Sequence, residues 1–253
     1  AELSTVCGFT EFARATADEQ LHRRARDLFL GVWNRLAQPG MAAQPYLAAA
    51  RPARLHGHSL ICLNVLQELR RFRADPEYDR MIDACIETIV RFHLRRDRRC
   101  ILELVGWGRG EDLPGSRGRW INPGHMIEGG IFIIHEGRRR GSRELMALGL
   151  DLIEWGFERG WDREFGGIYN DVDEQGLPIP GAEGLLAPAK LWWQHAEALY
   201  GLTLAFGETG RPELLEKTER VVAYCQTHFA DPVHGEWFAV LDRRGQVLCP
   251  AKG

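Results

Sequence analysis

The sequence contains no CxxC pair. Its six cysteines (Cys7, Cys62, Cys85, Cys100, Cys225 and Cys249) are scattered along the chain. That spacing excludes a zinc hairpin and a thioredoxin-like redox motif. Most lie in apolar contexts, so reduced core thiols of a cytoplasmic protein are expected. No apolar run approaches the length of a membrane span, and no secretory signal is visible at the first residues, so no membrane attachment is expected. The chain also has no surplus of charge: 32 basic residues face 35 acidic ones, a net charge of −3. Its arginine clusters (Arg70-Arg71, residues 95–99 and residues 138–140) stand beside acids and read as solvated helix ends, which disfavours nucleic acid as a partner. The glycine-rich stretch Gly106-Trp107-Gly108-Arg109-Gly110 lacks the strand and helix that a phosphate-cradling loop requires.

What the chain does have is an apolar content of 45% over 253 residues, enough for a packed core and too much for disorder. It also repeats. Four segments open on a polar turn and a glutamate and continue with helical apolar spacing: "ATADEQLHRRARDLF", "RADPEYDRMIDACIETIV", "RGSRELMALGLDLIEWGF" and "TGRPELLEKTERVVAYC". Their glutamates, Glu19, Glu77, Glu144 and Glu213, are 58, 67 and 69 residues apart. Acids in a first turn oppose the helix dipole favourably. Thr16 to Glu19 fits a capping box, Asp75 precedes Pro76 as N-cap before N1, and Ser142 suits the third cap.

A second set of helices lies between these: "GHSLICLNVLQEL", "GHMIEGGIFIIHEG" and "QHAEALYGLTLAFG", beginning near His58, His125 and His195. "AELSTVCGFTEFARAT" is the first member of that set. The set is richer in small and apolar residues, so it should be the more buried layer. Four helical hairpins, eight helices in all, are therefore expected in a single domain spanning 1–253. Such hairpins stack into a solenoid or close into a toroid. Toroids of this kind usually need six, so the chain reads as truncated at both ends. Two connections are long, roughly 96–124 and 161–189, and long loops in compact domains are often functional. "RCILELVG", "GGIYNDV" and "EWFAVLD" have strand composition and are expected as short β-hairpins on the rim.

The stretch with most chemistry is "LPGSRGRWINPGHMIEGG". Asn122-Pro123-Gly124 fixes a turn and frees the backbone to enter a helix. His125 and Glu128, three residues apart, then share a helix face. A carboxylate there can orient the imidazole and raise its basicity, and histidine suits proton transfer near neutral pH. A capping histidine in a hydrogen-bonded turn remains the alternative. His58 and His195 stand at the neighbouring helix starts, where a repeated cap is the simpler account of His195. A metal site from His125, Glu128 and a second histidine is the minority reading, so no metal is assigned. In "KLWWQHAEA", Trp192 and Trp193 diverge by about a quarter-turn or more on a helix. One can face the core and the other a cavity, where an indole suits the apolar face of a sugar. Glu197, four residues after Trp193, can accept bonds from hydroxyls. Two core tryptophans are the alternative. His234 receives no catalytic role.

The stretches "LPGSRGRWINPGHMIEGG", "GWDREFGGIY", "KLWWQHAEAL" and "DPVHGEWFAVLDRRG", in this order, resemble the N-acylglucosamine 2-epimerase (renin-binding protein) family. The wider group includes cellobiose 2-epimerases and mannose–fructose isomerases. The resemblance covers residue 100 or so to 253 and is looser before, at "HGHSLICL". It implies an all-α, (α/α)6 toroid with a sugar in its central cavity, and inversion at C2 of the open-chain sugar by two histidines. One histidine belongs to the NPGHxxE motif, which places His125 as the proton carrier and Glu128 as its orienting carboxylate. The other lies beyond Gly253, and an arginine near the start of full-length relatives has no counterpart here. The resemblance further implies a monosaccharide or disaccharide ligand held by His58, Lys190, Trp192, Trp193 and Glu197. It implies no catalytic cofactor, a nucleotide such as ATP as an effector, and a homodimer. The expected activity is interconversion of N-acetylglucosamine and N-acetylmannosamine. The alternatives are an aldose–ketose isomerase, a cellobiose 2-epimerase, a glycoside hydrolase using Glu128 and Glu197, and an inactive sugar-binding fragment.

Overall fold

The structure is a computed structural model that describes residues 2–38, 52–177 and 188–253. Residues 178–187 of the long connection expected at 161–189 lie outside the described residues. The chain divides into two compact units, Ala1–Leu94 with Glu103–Leu113, and Arg95–Leu102 with Pro114–Gly253. Eight α-helices are found among the described residues, as the repeat predicts.

In the first unit, α1 (Glu2–Thr16) pairs with α2 (Glu19–Leu36), α3 (His56–Phe72) pairs with α4 (Pro76–Thr88), and α1 lies beside α3. Phe29, Leu60, Leu63, Leu66, Leu69 and Ile82 fill the spaces between them. The α1–α2 link departs from the expected capping box. Thr16 donates its hydroxyl back to Phe12 O at 2.8 Å, Ala17 turns the chain at φ 55°, and Asp18 becomes the cap. Its carboxylate accepts from the N–H groups of Gln20 and Leu21. An ionised acceptor two residues into a tight link meets the open helix end more directly than a hydroxyl one turn away. Asp75 caps α4 ahead of Pro76 as expected. Strand β1 (Ala53–Leu55) pairs antiparallel with β4 (Leu104–Gly106) just before α3. Short strands β2 (Leu94–Arg95) and β3 (Cys100–Ile101) fall between them in the chain.

The second unit repeats with a fixed offset. Helix α5 (Pro123–Arg140) starts 69 residues before α7 (Trp192–Thr209), and α6 (Arg143–Gly160) starts 69 residues before α8 (Pro212–Tyr224). Asn122 and Ser142 cap α5 and α6 through their side chains. Gly141 and Gly210 end α5 and α7 in the left-handed region, where glycine carries no steric penalty. The α5–α6 crossing is close because Gly130 and Gly149 face each other: a Cβ on either would lie 2.6 Å from the other's carbonyl oxygen. Isoleucines 127, 131, 134 and 153 and Leu202 complete the core.

Each helical hairpin of this unit is followed by the same pair of turns. Asp162 accepts from the N–H groups of Glu164 and Phe165, and Asp231 from those of Val233 and His234. Asp173 and Asp242 then form a second tight turn, each bonded to the glycine three residues on. "EWFAVLD" forms β6 (Phe238–Leu241), between β5 (Lys190–Leu191) and β7 (Val247–Lys252) in a three-stranded sheet. "GGIYNDV", expected as a strand, makes only isolated bridges, Ile168 to Trp161 and Val172 to Ile121. Asn170 and Asp171 use their side chains there instead of extending a ladder.

Candidate functional site

The offset decides which side chains share a face. His58 and His125 are each the third residue of their helix, but His195 is the fourth of α7. One position is a rotation of about 100°, so His195 points elsewhere. It is fully buried. Its Nδ1 lies 2.8 Å from Leu191 O and its Nε2 accepts from Ile168 N–H at 2.9 Å. Burial pushes its pKa down to about 3, so it stays neutral and ties α7 to the preceding loop. The residue of α7 equivalent to His125 is Gln194, and that equivalent to Glu128 is Glu197.

His125 itself is half-buried. Its N–H donates to Asn122 Oδ1 at 2.9 Å, and its ring lies against the Trp193 indole, centroids 5.4 Å apart at 37°. Glycine at 124 makes that possible. A Cβ there would lie 2.7 Å from Trp193 Cη2 and 2.5 Å from Gln194 Cγ. The Pro-Gly-His order thus starts a helix, opens room for an indole and presents an imidazole beside it.

Glu128 follows on the same face, half-buried. Glu197, across on α7, has its pKa raised to about 7, first by burial and then by the charge of Glu128. Burial and the neighbouring charge thus leave the Glu197 carboxyl protonated part of the time near neutral pH. An imidazole, a carboxyl pair and an indole wall form a setting for proton transfer on a hydroxyl-bearing ligand.

Behind His125 lies a polar network that the motif reading did not single out. Asp171 Oδ1 accepts from Trp120 Nε1 at 2.7 Å and from Asn122 Nδ2 at 3.3 Å. Asp171 Oδ2 accepts from Asn170 Nδ2 at 2.6 Å. Gln194 Nε2 donates to Asn170 O at 3.0 Å and to Asn170 Oδ1 at 3.3 Å.

The remaining predicted residues fall elsewhere. Trp192 is 36% exposed and does not enter the core. Lys190 is fully buried, its ammonium held by Asp162, Gly166 O and Arg243 O and facing the rings of Tyr169 and Tyr224. Its three donors are committed inside the protein. His58 belongs to the first unit, where it lines a cavity of about 440 Å³ with Trp33, Arg54, Cys62, Cys85 and Trp107. Burial lowers its pKa. In the same unit, His56 is buried with Nδ1 3.3 Å from Glu103 Oε1, a pair that the "HGH" spelling does not distinguish from His58. A cavity of about 590 Å³ in the second unit, beside Trp155, Trp161 and Tyr169, contains none of the predicted residues. There Arg243 pairs with Asp162 and Glu164, and Arg99 with Glu158.

Residues 10–253 match the family described as N-acylglucosamine 2-epimerase (GlcNAc 2-epimerase). The human N-acylglucosamine 2-epimerase is 32% identical over 250 residues, covering 96% of this chain and 57% of that protein. The Bos taurus protein of the same name is 33% identical over the same share. The chain therefore spans little more than half the length of these relatives. Among solved structures, a cellobiose 2-epimerase from Bacillus thermoamylovorans B4167 superposes with a TM-score of 0.80 at 17% identity, covering 99% of this chain and 67% of that one. A D-mannose isomerase superposes with a TM-score of 0.78 at 13% identity, covering 100% and 65%. These likenesses show the fold class, helical hairpins of the α/α-toroid type. With the match running from residue 10 to residue 253 and through the Asn-Pro-Gly-His segment, the chain belongs to the N-acylglucosamine 2-epimerase family.

Proposed function

We propose that this chain supplies one proton-transfer group of a sugar 2-epimerase that interconverts N-acetylglucosamine and N-acetylmannosamine. The observation that carries the reading is His125, half-buried against the Trp193 indole with a carboxyl pair on the facing helices. In this reaction the imidazole of His125 takes the proton from C2 of the open-chain sugar. The C–H electrons form the C1–C2 double bond, and the carbonyl oxygen takes up the displaced pair. Return of a proton to the opposite face restores the aldehyde with C2 inverted. That second donor is a histidine of the full-length protein outside this chain. No electrons are gained or lost overall, so the step needs no redox cofactor.

Glu128 orients the imidazole, and Glu197, which holds a proton part of the time at neutral pH, can accept from or donate to sugar hydroxyls. Trp193 offers its face to the carbon chain. With its ammonium committed to Asp162 and two carbonyls, Lys190 supports the loop under the site and does not touch sugar. A cytoplasmic setting, supported by six unpaired cysteines, and a homodimer belong to the same reading.

The test is proton NMR of the full-length protein with N-acetylglucosamine in deuterated water. N-acetylmannosamine carrying deuterium at C2 is expected, and His125→Asn should slow its appearance by about 10²–10⁴-fold. Undiminished turnover in that variant removes His125 from the chemistry. Ketose signals in place of the C2 epimer would assign aldose–ketose isomerisation instead.

A further inference from the structure

The two copies of the pattern in the second unit differ at one junction, and the difference falls beside His125. In the later copy, Lys190 and Leu191 pair across strands with Leu241 and Val240. Moving back 69 residues gives Ile121 with Val172 and Asn122 with Asp171. Ile121 and Val172 are again bridged, by two backbone bonds of 2.9 and 3.0 Å, so the correspondence holds in space. The neighbouring pair has changed character. Leu191 and Val240 are apolar, and Leu191 precedes α7 without a side-chain cap bond. Asn122 and Asp171 are polar and bonded to each other.

The later copy demonstrates that an apolar pair closes this junction. Partly buried polar groups need partners to offset their lost hydration, and the earlier copy supplies four: Trp120, Asn122, Asn170 and, through Asn170, Gln194. The arrangement has a directional consequence. A carboxylate accepts and never donates when ionised, so it selects the NH₂ end of the Asn122 amide. The amide oxygen is thereby turned to the first turn of α5, where it accepts from His125 N–H at 2.9 Å.

We propose that Asp171 is a positioning residue for His125, acting through Asn122. It sets the cap amide, the cap sets the first turn of α5, and the first turn aims the imidazole. This rests on the reading of His125 as the proton carrier. A misplacement of about 1 Å at a reacting group costs on the order of 10²-fold in rate, which sets the scale of the expected effect.

The test uses the full-length protein with three variants: His125→Asn, Asp171→Asn, and the double change Asn122→Leu with Asp171→Val, which copies the later junction. The C2 deuterium-exchange rate is read as kcat and KM, alongside melting temperature and amide hydrogen exchange over residues 122–128. The double variant should melt within a few degrees of the parent, keep KM within about twofold, lose about 10–100-fold in kcat, and exchange the His125 amide faster. Asp171→Asn should lose about tenfold in kcat with KM unchanged, and it decides the matter alone if the double variant does not fold. If kcat stays within about twofold while His125→Asn abolishes exchange, the positioning role is wrong and the proton-carrier reading stands. A kcat loss that only tracks the folded fraction would likewise overturn it. If His125→Asn retains exchange, the proton-carrier reading falls and takes this inference with it.

Discussion

Two residues one helix position apart from equivalence, His125 and His195, show how far environment outweighs residue type. His195 is sealed with both ring nitrogens occupied and is held neutral, its pKa down to about 3. His125 is half-buried, with its ring beside an indole. The carboxyl of Glu197 has the opposite displacement, up to about 7 from an ordinary 4.5. Between those values the folded chain keeps a proton that the unfolded chain releases. Its stabilising contribution is therefore full below pH 4.5 and is lost as pH rises through about 7. Glu197→Gln, neutral at every pH, should raise the melting temperature at pH 8 and leave it nearly unchanged at pH 5. Equal shifts at both pH values would contradict the burial of an ionisable carboxyl beside Glu128.

Among the elements, the α5–α6 pair is held close by what its glycines lack. At Gly149 an added methyl would meet Gly130 O at 2.6 Å and Ile134 Cγ1 at 2.6 Å, both in a packed interface. Gly149→Ala should therefore cost about 1–3 kcal/mol in a denaturant titration. Gly207, in the exposed last turns of α7, has nothing within 4 Å of its Cβ position. Gly207→Ala should stabilise by about 0.5–1 kcal/mol, because alanine restricts the unfolded chain and suits a helix. Loss of stability at 207 together with tolerance at 149 would mean that the crossing is not where these glycines place it.

For the whole molecule, the composition predicts a chain without covalent staples, and all six cysteines are unpaired, four of them buried. A disulfide typically contributes about 2–4 kcal/mol. Reductant should accordingly leave the melting curve of the full-length protein unchanged, and a drop of several degrees would reveal a bridge. Two of the three arginine clusters end helices, Arg70-Arg71 in the last turn of α3 and residues 138–140 in that of α5, where Arg139 and Arg140 reach back to the buried carboxylate of Glu136 and Arg138 meets Glu208. The third, residues 95–99, departs from that expectation: it forms the turn between β2 and β3, with Arg98 paired to Glu174 and Arg99 to Glu158. No helix among the described residues is long and apolar enough to cross a membrane.

Periodicity and local chemistry, both properties of neighbouring residues, made the eight helices, their two-layer alternation, and the Asp75 and Ser142 caps legible from the sequence. The His125–Glu128 face was legible for the same reason, because three residues along a helix is one turn. Local chemistry also misdirected the reading in places. It aligned His195 with His125 by letter, and only helix starts 69 residues apart revealed the one-position slip. It placed the α2 cap at Thr16, where the structure uses Asp18. What lay beyond it was the set of contacts between segments 28 to 69 residues apart: Asp171 turning Asn122, Trp193 resting on Gly124, and Asp162 engaging Lys190. Periodicity along one segment carries no record of which other segment folds over it, so the helices could be read from the sequence while the surroundings of each site residue were decided by packing.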